Sequence, residues 1–303
     1  MKYSFAIVAS FIAISLLAQP TLQEKLGYPK NTKLLIIHAD DIGVSHSENT
    51  ATITALEKGS INSGSILVPC PWMPEIAAYV STHPNVDLGL HLTLTAEWKH
   101  YKWTPVLSRT EVPSLVDDKG FLPDNSEAVG KNAKPEEAEK ELRAQIERAK
   151  QFGIDPTHFD THMGSVFATP ALAAIYLKLG QEYKVPVLLP VQAKALAAGN
   201  PNAVIIDNLF MATPDDYKAG MKNYYSKVLK ELPVGFNVLL LHAAHNDSEM
   251  QAVTIDHPDY GAAWRQADFD FFTSDDCKKL LKDNNIKMVT WKEIRDKVVR
   301  KQN

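Results

Sequence analysis

From residue 33 almost to its end the chain alternates short apolar runs with amphipathic stretches, and that alternation restricts the fold more than any other feature. Residues 33–38 (KLLIIH) are β-rich and nearly all apolar, the pattern of a strand buried on both faces. A helix over 47–58 closed by Gly59, a strand over 65–68, a helix over 73–82 and a strand over 86–94 are predicted next. The clearest helix opens at Pro135 and runs to Phe152, with Gly153 just beyond, the Pro-first and Gly-last asymmetry of helices. Further strands are expected at 157–162, 185–189, 204–206, 236–242 and 287–290, with helices over 170–183, 215–231 and 267–283. Such alternation implies parallel strands joined by crossover helices. The expectation is therefore an α/β fold, a (β/α) barrel of seven or eight strands, complete or distorted, with a doubly wound open sheet as the alternative. Only 96–134 fits neither element type; it carries Trp98, Tyr101 and Trp103 among prolines and charges, and loops that long are usually functional or disordered.

Residues 1–20 read as a signal peptide: Lys2, then an apolar run over 5–18, then charges from Glu24. The run is shorter than the roughly 20 residues that cross a bilayer as a helix. An exported protein, periplasmic or extracellular and without stable membrane insertion, is expected, an uncleaved anchor being the alternative. Residues 21–303 then form one domain. At 45% hydrophobic and 22% charged residues the composition is that of an ordinary globule, and a net charge of −4 gives no footing for nucleic acid. Cys70 and Cys277 make neither a disulfide framework nor a zinc-ligand cluster, and buried free thiols are expected.

The chemistry collects at strand ends. Asp40 and Asp41 follow the first strand, His91 lies near the end of the third, His158, Asp160 and His162 fall on the fourth, and His242 ends a late apolar strand. In parallel α/β folds the carboxyl ends of the strands converge on one mouth, where active sites form. Taken singly, each residue has a plainer reading: a helix-cap pair for the aspartates, a hydrogen-bonded core residue for His91, a half-exposed strand face for 158–162. Adjacent carboxylates repel, however, and a bound cation relieves this. Two His and an Asp form a facial ligand set that leaves coordination positions open, as hydrolysis requires. A metal there lowers the pKa of water from about 16 toward 7 and polarises a carbonyl, with a second carboxylate as general base and a separate His as general acid.

At these residues the chain resembles the YdjC/ChbG-like carbohydrate deacetylases, over residues 34–291. The anchors are ADDIG (39–43), GLHLTLT (89–95) and HFDTH (158–162), with the late strand ending in His242 as a weaker one. The resemblance implies a barrel-like fold related to the polysaccharide deacetylases, one divalent metal ion (zinc or magnesium) and an acetylated amino sugar or oligosaccharide as substrate. Carried over, it makes Asp41, His91 and His162 the metal ligands, Asp40 the base, and His242 the acid that protonates the departing amine or else the group that stabilises the tetrahedral intermediate. His158 and Asp160 become supporting residues, and Arg265 resembles a charged residue of the family's C-terminal segment. Three positions depart from the pattern: Met163-Gly164-Ser165 stand in place of a histidine-rich continuation, Ala243-Ala244-His245 in place of Pro-Gly after the late His, and His38 in place of a small or amide residue. Two other readings share the site. One is a metal-dependent esterase or phosphoesterase, against which stands the lack of an Arg/Lys cluster for phosphate. The other is a sugar-binding protein without catalysis.

Overall fold

The computed structural model describes residues 20–300 except 59, 199, 201 and 202, so the proposed leader lies almost entirely outside the described residues. Seven parallel strands form the sheet: β1 (Lys33–Ile42), β2 (Ser63–Ile66), β3 (Leu88–Leu92), β4 (Phe159–Thr161), β5 (Asn208–Met211), β6 (Gly235–Leu241) and β7 (Ile286–Met288). Their order is β4-β3-β2-β1-β6-β5, with β7 also on β1. β7 and β2 share one edge of β1 end to end, β7 pairing with 33–35 and β2 with 38–42. Asn62 fills the fork between them: its side-chain oxygen accepts the Ile37 N–H at 2.9 Å and its amide donates to the Val289 carbonyl at 2.6 Å. The predicted strands at 185–189 and 204–206 are reduced to single bridges, Phe159 with Val187 and Pro190 with Ile206. Those bridges span the gap between β4 and β5, so the sheet curls into an irregular (β/α) barrel rather than a flat, doubly wound sheet.

Alternation along β1 assigns its two faces. Leu35, Ile37 and Ala39 pack outward with Leu239, Leu241, Tyr225, Trp264, Phe271 and Phe272. Leu34 and Ile36 point the other way and cluster with Phe236, Val238, Leu188 and Ile206. Leu26 from the first helix and Trp291 and Ile294 from the last join this cluster, so the terminal segments plug the lower end of the barrel. The last helix is tied down by Asp87, whose carboxylate accepts the Trp291 and Lys292 backbone N–H groups, each at 2.8 Å. Each such buried side chain contributes on the order of 1.5–3 kcal/mol. Above this apolar floor the same face of β1 carries His38 and Asp40.

The helices Met73–Thr82 and Pro170–Tyr183 coincide with their predicted spans, the latter capped by Thr169, whose hydroxyl accepts the Leu172 N–H. Two predicted helices are each divided in two. Gly220, at φ 102°, separates Pro214–Ala219 from Met221–Glu231, and Ser274 caps a new helix, Asp275–Asp283, after Ala262–Phe272. The segment 96–134 contains a 3-10 turn (Pro113–Leu115) and a helix (Ser126–Asn132), and it buries Trp98, Trp103, Val112, Leu115 and Leu122. It is a packed wall of the barrel mouth. Cys70 and Cys277 are both buried and free. Among the described residues no helix is long and apolar enough to cross a membrane.

Candidate active site

Successive residues of a strand point to opposite faces, so Asp40 and Asp41 should not share a site. A bulge resolves this. Between Ala39 and Ile42 the register of β1 against β2 shifts, three steps on β1 matching two on β2. Asp41 takes a left-handed backbone at φ 66°, sparsely populated for a residue with a Cβ and tolerated where the surroundings over-determine it. Both carboxylates consequently enter the mouth, buried.

Asp41 lies at the centre. Its Oδ2 accepts a hydrogen bond from Arg265 Nη2 at 2.8 Å, while Arg265 Nη1 donates to both oxygens of Glu48 at 2.7 and 2.8 Å. Arg265, at 2% exposure, is thus a buried ion-pair hub rather than a solvated helix residue. The other oxygen, Asp41 Oδ1, is buried without a hydrogen-bond partner. Two imidazole nitrogens approach it: His162 Nδ1 at 3.2 Å and His91 Nε2 at 3.4 Å. The far nitrogen of each ring faces a carboxylate, His91 Nδ1 at 2.8 Å from Asp160 and His162 Nε2 at 2.8 Å from Glu97. With their far N–H groups committed to these carboxylates, the rings in neutral form would turn the lone pairs of their near nitrogens to an ion held at Asp41 Oδ1.

These three donor atoms lie within 4.8 Å of one another, and they fit a divalent ion. The deciding feature is the orphaned Asp41 Oδ1, because a buried carboxylate oxygen with no partner is costly. Two neighbouring groupings, His38 with His158 and Asp160, and Asp40 with His91 and Asp160, are as compact. In both, Asp160 is already bonded to an imidazole of the grouping, His38 at 2.9 Å in the first and His91 at 2.8 Å in the second. The electrostatics agree. Five buried or nearly buried carboxylates, Asp40, Asp41, Glu48, Glu97 and Asp160, share the mouth with one guanidinium, Arg265, which pairs with Asp41 and Glu48, and protons are drawn onto the imidazoles to balance the rest. Burial would lower the His162 pKa, but Glu97 and Asp41 outweigh it and raise it to about 10. His91 is raised in the same way, against burial, by Asp160 and Asp40.

His242 closes the site from β6, its Nε2 at 3.8 Å from Asp41 Oδ2 and 4.0 Å from Asp40 Oδ2. Burial, reinforced by Arg265 against the pull of Asp41, draws its pKa down to about 4. His158 stands apart. It is fully buried beneath the site, bonded to Thr157 and stacked on Trp291 at 5.1 Å. Its ring occupies the space above Gly89, where a Cβ would lie 2.4 Å from it. Trp98 and Trp103 offer no face to a sugar. They are buried, Trp103 packing on His162 at 5.8 Å and Trp98 on the Arg265 guanidinium at 5.4 Å. Sequence reasoning missed Glu97 and Glu48. The one available hint was that each is an acid within a few residues of an anchor motif.

The family described as YdjC-like protein matches residues 34–283. The chain belongs to the YdjC-like family. Among relatives of this YdjC-like chain, a protein of Thermus thermophilus named carbohydrate deacetylase is 31% identical over 91% of the chain and 98% of its own length. Another of that name, from Thermoanaerobacter pseudethanolicus, is 25% identical over 86% of the chain and 98% of its own length. A crystal structure from Enterococcus faecalis V583, provisionally named for cellobiose-phosphate cleavage, superposes with a TM-score of 0.73 at 22% identity. It covers 87% of the chain and 99% of its own, a likeness of fold.

Proposed function

We propose that the protein is a metal-dependent carbohydrate deacetylase that hydrolyses the acetamide of an N-acetylated sugar. The observation that carries this reading is Asp41 Oδ1, buried and unpartnered, with two carboxylate-backed imidazoles aimed at it and a second aspartate beside it. The name shared by relatives that match nearly end to end supplies the substrate class.

Asp41, His91 and His162 would hold one divalent ion, zinc or magnesium, which when bound acidifies water and polarises the acetyl carbonyl. Arg265 occupies Asp41 Oδ2 and so keeps Oδ1 turned to the two imidazoles. Asp40 is free of that set and takes the proton from the attacking water. His242, with Nε2 4.0 Å from Asp40 Oδ2, receives that proton and delivers it to the departing amine nitrogen. Burial and Arg265 keep the ring neutral until Asp40 passes the proton on, and a proton held that weakly is readily given up to the amine.

The test is acetate release from N-acetylglucosamine oligomers with and without chelator. Asp40→Asn is expected to abolish turnover while the metal stays bound, whereas His162→Ala loses both. An Asp40→Asn variant with near-normal rates would remove the assigned base. Preferential turnover of ester or phosphate substrates would give the esterase reading, and sugar binding without acetate release the non-catalytic one.

A further inference from the structure

His38 belongs to no step derived above. It follows Leu34 and Ile36 up the inner face of β1, two residues before Asp40, and is wholly buried. Its Nδ1 lies 3.1 Å from Ser63 Oγ. Its Nε2 faces both carboxylates at once, 2.9 Å from Asp160 Oδ2 and 3.1 Å from Asp40 Oδ1, with Ser65 Oγ at 3.1 Å. The N–H is aligned on Asp160, so Asp40 Oδ1 stays without a hydrogen bond of its own and meets the ring as an ion-pair partner. The ring is itself braced edge-on by His158, at 4.9 Å and 74°.

We infer that His38 is a positioning residue for Asp40: it fixes Asp40 Oδ1 toward the barrel interior, leaves Oδ2 facing His242, and links the base through Asp160 to His91. An apolar side chain here would take away the one ring nitrogen that faces both Asp40 Oδ1 and Asp160 Oδ2, and the repulsion of the two buried carboxylates would turn Asp40 out of its setting. The inference rests on the reading of Asp40 as the base.

The experiment compares the metal-loaded full chain as wild type, His38→Leu, His38→Gln, Asp40→Asn and the His38→Leu/Asp40→Asn double variant. Acetate release from N-acetylglucosamine oligomers is followed, with bound metal counted in parallel. His38→Leu is expected to lower kcat about 10- to 100-fold, the usual range for removing a supporting partner, with KM and one bound ion unchanged. His38→Gln, whose amide N–H reaches the Nε2 position, retains most of kcat. On the trace rate that Asp40→Asn leaves, read at high enzyme concentration over long incubation, His38→Leu costs less than about twofold, because groups that act through one another are not additive. If His38→Leu does not fold, His38→Asn, which keeps only the contact toward Ser63, takes its place with the same expected loss. A wild-type kcat in the single variant overturns the inference, as do multiplying losses in the double variant. So does a second ion in the wild type that is lost with His38. An inactive Asp40→Asn beside a fully active His38→Leu removes this inference alone. An inactive wild type or an active Asp40→Asn removes the deacetylase reading and this inference with it.

Discussion

Glu97→Gln takes one negative charge from behind His162 and leaves an amide oxygen that can accept the same N–H. The contact is a 2.8 Å charge-assisted hydrogen bond from His162 Nε2, in a site nearly closed to water. Glu97 and Asp41 are also what raise His162 against burial, so the carboxylate sets how electron-rich the ring is. Carboxylates in this position usually govern metal affinity by about 10- to 100-fold. At about 1.36 kcal/mol per decade this amounts to roughly 1.4–2.7 kcal/mol. The ring itself stays placed, since Trp103 packs on it at 5.8 Å. The expected outcome is a metal dissociation constant raised by one to two decades, read by competition with a chromophoric chelator. Activity should return to within a few-fold of wild type once metal is saturating. An affinity unchanged within twofold, or activity that saturating metal does not restore, would refute the view that Glu97 acts by tuning His162.

Arg265→Met leaves Glu48 as a buried carboxylate without its counter-ion and Asp41 with only the imidazoles, and is expected to cost about 3–5 kcal/mol, measured by denaturant unfolding of the metal-free protein. Gly89→Ala drives a Cβ to within 2.4 Å of the His158 ring and 2.5 Å of the His158 carbonyl oxygen; at least about 1–3 kcal/mol of stability should be lost, or folding altogether, as read by Tm and soluble yield. In chelator, His38 gives a pH signature. Burial lowers its pKa, but Asp160 and Asp40 prevail and raise it to about 10, so the stabilisation it provides is complete below its ordinary value near 6.5 and drains away as pH climbs through 10. The Tm gap between wild type and His38→Leu should narrow across that window, and a constant gap would show the ring is held neutral.

The strands and the site differ in how far they could be read from sequence. β1 and β6 announce themselves as continuous apolar runs, and Pro170–Tyr183 carries Pro at its start, so local chemistry sufficed there. The segments near Val187 and Ile206 have the same β-branched character yet form only single bridges, because a distorted barrel gives them no regular neighbour. β5 was overlooked because Asn208–Met211 is only partly buried and shows no strong pattern. The divided helices were legible in principle, since Gly220 and Ser274 are ordinary stop and start residues. Asp40, Asp41, His91, His162 and His242 were selected because they end strands, and the structure gathers them at one mouth. Glu48 and Glu97 had no such address. Glu48 reads locally as a first-turn acid behind Ser45, and nothing nearby in the chain announces Arg265, 217 residues on.

The bulge at the top of β1 makes the adjacent aspartates a matter of chain length as well as residue identity. Losing Ala39 or Ile42, the residues that flank the pair, would not merely shorten a connection. It would restore strict alternation and send one carboxylate outward into the helix layer. Loss of codon 39 or 42 keeps the reading frame and both aspartates, yet it would separate the pair in one step.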